Sequence, residues 1–285
     1  MYLSYLPDEM QGISFEESLR IGAELGLRWV EMRSVDGVNC IDLTDEQVEA
    51  AKKLIDKYGM RVSALATPFF KCTMPGLDHK ASGPMHAARE MSYEEHLSLI
   101  RRGVEIAKAF GTHRMRLFTF WYKEGVDFWE TLNDAVKEAL ARVEGTGIVL
   151  GVENEGACMV RTSKDLAEAV SRLDERVKFI YDPGNSARVG HTPQQAEFDV
   201  FADRIVLVHM KDGRYDPATG ESYASLIGEG AVNWARELKR IAAVYDGPLT
   251  LEPHYAPEGD TVRGMRESVA AVRRLAEENG ITLES

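Results

Sequence analysis

The sequence predicts an α/β protein of the (β/α)8 barrel class, the TIM barrel, as a single domain over residues 1–285. Three observations predict it. Short apolar runs alternate with helical patterns along the chain, these runs number eight, and charged residues stand at the carboxyl ends of several of them. An open doubly wound sheet shares the first observation, but it places its ligand at one switch point and needs no polar residues at many strand ends.

The predicted strands cover residues 2–6, 28–33, 61–66, 114–120, 148–153, 178–182, 205–209 and 249–252. The run "RIVLV" before His209 has the continuous apolar character of a strand buried on both faces. Helix starts are marked at Ser14 in "SFEE", Thr44 in "TDEQ" and Ser92 in "SYEE", each a Ser or Thr three residues before Glu or Gln, the capping-box spacing. Later helices are predicted over 128–143, 163–173, 234–244 and 261–279, with a sixth, the least marked, near 194–202. Glycines in "AELGLRWVEM", "DKYGMRVSAL" and "EGTGIVLGVE" stop a helix just before a strand begins.

A net charge of −12 argues against a protein that works by neutralising phosphate backbones, so no nucleic-acid partner is expected. Cys40, Cys72 and Cys158 are odd in number and widely spaced, which fits a reduced cytoplasmic setting better than a disulfide framework. "MYLSYLPDEM" has no basic segment leading into an apolar one, and no window approaches the ~20 apolar residues of a membrane span. A soluble cytoplasmic protein with no membrane partner is the expectation.

Chemistry concentrates at the strand ends. Glu153 ends the fifth strand in "IVLGVENEG", Asp182 the sixth in "FIYDPGNSA", His209 the seventh in "IVLVHMKD" and Glu252 the eighth in "PLTLEPHY". A barrel brings the carboxyl ends of its strands together around one axis, so these four become neighbours. Singly, such a His or Glu is ordinarily a satisfied structural group. Together, three carboxylates in an apolar barrel mouth repel one another unless a cation lies between them. A divalent metal is the economical answer, and carboxylates with one imidazole suit Mn²⁺, Mg²⁺ or Co²⁺, with Zn²⁺ less suited.

With these residues in place, the chain resembles the xylose isomerase-like barrel superfamily, and within it the sugar phosphate isomerase/epimerase branch that includes ketose 3-epimerases. The resemblance runs from "ISFEESLRIGAELGLRWVEM" through "GVENEG", "DPGN", "VHMKDGR" and "GEGAVNW" to "LEPHY". It implies metal ligation by Glu153, Asp182, His209 and Glu252, and catalysis by Glu153 and Glu252 facing opposite sides of the substrate carbon. It implies a small sugar or sugar-phosphate substrate and allows a homodimer. Deprotonation beside a metal-chelated carbonyl would give a stabilised enediolate, which one carboxylate makes and another reprotonates from the other face. The same enediolate serves a dehydratase of a keto-inositol type, and a barrel that binds metal and sugar without turnover is the non-enzyme alternative. Apurinic-site endonucleases also resemble this barrel, but they use a multi-His zinc cluster and a basic DNA track that this chain lacks.

The chain departs from the resemblance at Asn185, where many members carry His three residues after the strand-six Asp. An Asn cannot gain charge, and some phosphate-sugar members carry Asn there, so Asn185 is expected to contact substrate and a phosphorylated substrate stays in play. Arg214 falls in a loop that the resemblance assigns to gripping the sugar. Glu155 shares the inward face of Glu153 by strand alternation and is also a substrate-contact candidate. Glu31 ends the second strand and is expected either to contact substrate, to orient His209, or to pair with Arg33. Lys211 and Asp212 are expected to pair locally and fix their loop. The long strand-three loop near 67–91 reads as a lid, with Phe69, Phe70, Met74, His79 and His86 to cover substrate or an oligomer contact. Trp121 and Tyr122 read as core or as an apolar wall. Lys71, Arg116, Arg161, Arg188 and Arg214 are each placed to reach a phosphate, with no glycine-rich phosphate loop to choose among them.

Overall fold

A computed structural model describes residues 1–77 and 83–284 and shows eight parallel strands closing on themselves. They are β1 (Tyr2–Tyr5), β2 (Trp29–Met32), β3 (Arg61–Leu65), β4 (Arg114–Leu117), β5 (Val149–Glu153), β6 (Lys178–Tyr181), β7 (Ile205–Met210) and β8 (Pro248–Leu251). Each pairs with its sequence neighbours, and β1 closes the barrel on β8, with Tyr2 beside Pro248 and Tyr5 beside Leu251. The predicted TIM barrel is the observed fold, with strand bounds within a few residues of expectation.

The helices around it are α1 (Phe15–Glu24), α2 (Asp45–Lys57), α3 (Tyr93–Ala109), α4 (Trp129–Val143), α5 (Ser163–Arg172), α6 (Pro183–Arg188), α7 (Gln195–Phe201), α8 (Trp234–Ala242) and α9 (Thr261–Glu278). Full capping boxes form at Thr44 and Ser92. At Ser14 only half of one forms: its hydroxyl accepts from Glu17 N–H, but the Glu17 carboxylate is taken by Arg20 on the next turn. Strict strand–helix alternation is broken by α6 and by two hairpins, Ser34–Val35 with Val38–Asn39 and Asp212–Asp216 with Glu221–Ser225. "DPGN" makes α6 because Asp182 caps it and Pro183 sits at its first position.

Side-chain alternation divides the strand residues between two compartments. Val208 and Met210 of β7 and Leu150 and Val152 of β5 belong to the main apolar core, whereas Leu207 packs with Ala64 and Ile180 in a separate small cluster joined by Val206. Gly151 makes room there, since a Cβ would lie 2.8 Å from Ile180 Cγ1. The register shifts at two places: Val206 is skipped between the Phe179–Ile205 and Ile180–Leu207 pairs, and Ser63 between the Val30–Val62 and Glu31–Ala64 pairs. The first bulge is centred three residues before His209 and the second lies beside Glu31, where a bulge bends the strand locally. Among the described residues no helix is long and apolar enough to cross a membrane.

Candidate metal centre

Adjacent strands β5 to β8 deliver the four predicted ligands to one point. Glu153 is the last residue of β5, Asp182 follows β6 as the cap of α6, His209 lies near the end of β7, and Glu252 follows β8. One donor atom from each falls within 4.8 Å of all the others, and all four residues are buried. His209 Nδ1 faces the three carboxylates, at 3.0 Å from Glu153, 3.5 Å from Glu252 and 3.9 Å from Asp182. Its Nε2 faces Glu31 at 3.1 Å. Glu31 is fully buried behind the imidazole, so of its three expected roles the geometry supplies the orienting one; Arg33 pairs elsewhere.

Basic residues that the sequence did not assign to the centre complete it. Arg116 of β4 donates to Glu153 Oε2 at 2.9 Å and to the carbonyls of Ala66 and Thr67. Arg33 donates to Glu252 Oε1 at 2.8 Å, to Asp8 at 2.8 Å and to Glu9 at 2.5 Å. The expectation that Lys211 pairs locally is corrected. Its buried stem runs against Gly184, where a Cβ would lie 2.6 Å from Lys211 Cγ, and its Nζ reaches Asp182 Oδ2 at 2.9 Å and Glu252 Oε2 at 2.8 Å. Asp212 does fasten its loop, accepting from the N–H groups of Gly213, Gly228, Gly230 and Val232 at 2.8–3.1 Å.

This network sets the charge of each group. Burial works against ionisation of Glu153, but His209 and Arg116 hold its carboxyl down at about 2. Burial likewise opposes a charged Glu252, yet Lys211, His209 and His254 keep it well below the usual range. For Asp182 burial prevails, and the carboxyl rises to about 6 despite Lys211. Burial alone would keep His209 neutral, but Glu31 and Glu153 raise it well above its ordinary value.

The donors fit a divalent ion. Asp182 Oδ2 is buried without a properly directed hydrogen-bond donor. Six linked carboxylates, Asp8, Glu9, Glu31, Glu153, Asp182 and Glu252, meet three permanent bases, Arg33, Arg116 and Lys211. The surplus negative charge suits a dication, and the Lys211 ammonium between Asp182 and Glu252 marks where a cation is favoured. Three carboxylate oxygens and an imidazole nitrogen are hard to borderline donors.

A cleft of about 400 Å³ opens beside the centre, with His86, Glu155, Asn185, Arg188, Ser222 and His254 among its walls. Asn185 Nδ2 is 3.5 Å from both Glu153 Oε1 and Glu155 Oε2, so both substrate-contact candidates stand where the cleft meets the cluster. Arg214 is not brought to the cluster: it lies exposed on the 212–225 hairpin, donating to the Glu229 carbonyl at 2.7 Å. In the strand-three loop, Phe69, Phe70 and Met74 are core residues rather than cover, His86 lines the cleft, and His79 lies outside the described residues. Trp121 packs with Phe118 and Cys158 in a small buried cluster, while Tyr122 is exposed. Cys40, Cys72 and Cys158 are free and buried.

His254 is the functional candidate that sequence reading passed over. It lies two residues past Glu252 in "LEPHY", in the left-handed region at φ 48°, a conformation that costs a non-glycine residue and clusters at functional sites. That signal appears only in the backbone.

Comparison with known proteins shows the family and the fold. The sequence profile described as xylose isomerase-like TIM barrel matches residues 19–279. Over 143 residues the chain is 28% identical to the rhizopine catabolism protein MocC of Rhizobium meliloti, a stretch covering 45% of this chain and 44% of that protein. The match therefore spans less than half of that relative. Among solved structures, the IolI protein with a bound zinc atom superposes with a TM-score of 0.77 at 14% identity, over 98% of this chain and 99% of that one. A D-tagatose 3-epimerase-like protein superposes with a TM-score of 0.71 at 16% identity, over 98% of both chains. At these identities the likeness is one of fold.

Proposed function

Because the chain belongs to the xylose isomerase-like TIM barrel family, we propose that it is a divalent-metal-dependent sugar or sugar-phosphate isomerase or epimerase, of the ketose 3-epimerase type. The observation that carries this reading is the buried Glu153–Asp182–His209–Glu252 donor set at the carboxyl ends of β5 to β8. The zinc atom bound by the IolI protein and the name of the epimerase-like relative support it. Mn²⁺ is the proposed ion, with Mg²⁺, Co²⁺ and Zn²⁺ as alternatives.

Held by Glu153, Asp182, His209 and Glu252, the ion would supply Lewis acidity toward a ketose carbonyl and its neighbouring hydroxyl. The chain's own residues do the rest. Glu153 and Glu252 come from the two outer strands of the four and so flank the donor set. Each is kept ionised by neighbouring cations, His209 and Arg116 for Glu153 and Lys211 with His209 for Glu252. A carboxylate held this way can take a proton from a C–H placed between the two; the other, once it has drawn a proton from water, can return it from the opposite face, and the first then releases its own to water. Asn185 spends one amide N–H on the Asn154 carbonyl at 2.8 Å and turns the other toward Glu153 and Glu155 at 3.5 Å, where a substrate hydroxyl can accept it.

The test is isotope exchange. In heavy water with Mn²⁺ or Co²⁺, a panel of ketoses and ketose phosphates is expected to gain deuterium beside the carbonyl. Glu153→Gln and Glu252→Gln are each expected to slow exchange by roughly 10²–10⁴-fold. Loss of water from the substrate by mass spectrometry moves the reaction to dehydration, and no exchange with any member of the panel overturns the reading.

A further inference from the structure

The basic side chains near the strand ends differ in what they face. Arg116 is committed to Glu153, Lys71 lies over the Phe118 and Trp121 rings at 4.5 and 5.6 Å, and Arg161 lies 4.1 Å from the Tyr122 ring centre while donating to the Gly156 carbonyl. Arg214 is turned to the Glu229 carbonyl. Arg188, at the end of α6, is the one of these five that lines the cleft beside the donor cluster. Among the described residues it makes no ion pair, and its partners are neutral acceptors: His254 Nδ1 at 2.9 Å and Ser222 Oγ at 3.4 Å.

The surrounding structure is shaped to leave this guanidinium in the cleft. Its stem crosses Gly213 of the hairpin, where a Cβ would lie 3.0 Å from Arg188 Cγ, so any larger residue there would push it aside. An arginine can only donate, so His254 accepts through Nδ1 and carries its proton on Nε2, which faces Glu252 Oε1 and Glu9 Oε1, each at 3.5 Å. His86 stacks on His254 with ring centres 5.9 Å apart. The Glu155 carboxylate in the same cleft is offset by Lys71 and Lys211. One end of the cleft thus meets the donor cluster at Asn185, and the other presents an uncompensated cation with a hydroxyl beside it.

We propose that Arg188, with Ser222 and His254 around it, seats an anionic group, a phosphate monoester or a carboxylate, at the end of a substrate whose other end the Glu153–Asp182–His209–Glu252 cluster holds. This deepens the isomerase reading and rests on it for the identity of the ligand's other end. Arg188 lies one imidazole ring and two contacts from Glu252, a span that a short carbon chain bridges. A planar guanidinium fits a tetrahedral or planar oxyanion by paired N–H donors.

Calorimetric titration of the metal-free, full-length chain with inorganic phosphate, and separately with acetate, reads the seat without turnover. Saturable phosphate binding is expected, weakened about tenfold or more in Arg188→Met and only partly recovered in Arg188→Lys, which restores the charge without the paired donors. Preference for phosphate supports a phosphoester ligand, and acetate bound as tightly supports a carboxylate. No saturable binding of either anion, or equal binding by Arg188→Met, overturns the seat. If Arg188→Met does not fold, phenylglyoxal labelling of the native chain replaces it: phosphate is expected to slow modification of Arg188, and unchanged labelling overturns the proposal. In exchange assays the substitution is expected to raise KM more for anionic than for neutral ketoses, and an equal rise for both counts against it. Absence of exchange with every ketose defeats the isomerase reading alone, because the phosphate titration still decides the seat.

Discussion

His209 presents each ring nitrogen to a carboxylate, Nδ1 to Glu153 and Nε2 to Glu31, and this pairing fixes both its orientation and its readiness to accept a cation's field. Glu31 touches no other part of the cluster, so its contribution is to hold the ring. Glu31→Gln is expected to lower Mn²⁺ affinity by roughly 10–100-fold in a direct metal titration while leaving the fold intact; unchanged affinity would show that the ring needs no such support. The four candidate ligands were legible in the sequence because each ends an apolar run, a position that alternation and barrel closure fix. Lys211 was misread for a reason of the same scale. An ammonium beside a carboxylate in "KD" reads as a local pair, but Gly184 leaves a channel for the lysine stem, and the cluster's excess carboxylates draw Nζ inward.

At the scale of elements, regular strands and helices were readable from period and caps, whereas α6 and the 212–225 hairpin were not. Six helical residues are too few to show a 3.6-residue period, and the hairpin strands carry the polar, exposed residues of a loop. Asp212 joins that hairpin to the segment 228–232 through the N–H groups of Gly228, Gly230 and Val232, and accepts a fourth from Gly213 beside it. Asp212→Ala leaves these donors without their acceptor and is expected to cost about 3 kcal/mol in urea denaturation, with Asp212→Asn losing less. A loss below about 0.5 kcal/mol would mean that water replaces the carboxylate at no penalty. The same hairpin carries Gly213, over which Arg188 passes, so loosening it is expected to weaken the anion seat as well.

For the whole molecule, α3 carries a titratable group buried against the core with no hydrogen-bond partner on either ring nitrogen. His96 packs edge-on to Phe69 at 6.3 Å, and burial depresses its proton affinity to about 4, opposed only weakly by Glu95. Between pH 6.5 and 4 the unfolded chain binds a proton here that the folded chain refuses, so stability falls as pH drops through that window, by about 3 kcal/mol in all. His96→Leu is expected to flatten the slope of denaturation midpoint against pH over this range, and an unchanged slope would rule the residue out. The barrel itself, its strand order and its four candidate ligands follow from the sequence alone, because apolar period, glycine stops and strand-end polarity are local properties that closure of eight parallel strands converts into one site. Which bases balance that site, that Glu31 stands behind His209, and that Arg188 faces the cleft against neutral partners were decided only by tertiary structure. Those facts depend on which of many similar charges meet across elements far apart in the chain, and on bulges and glycine channels that no local pattern announces.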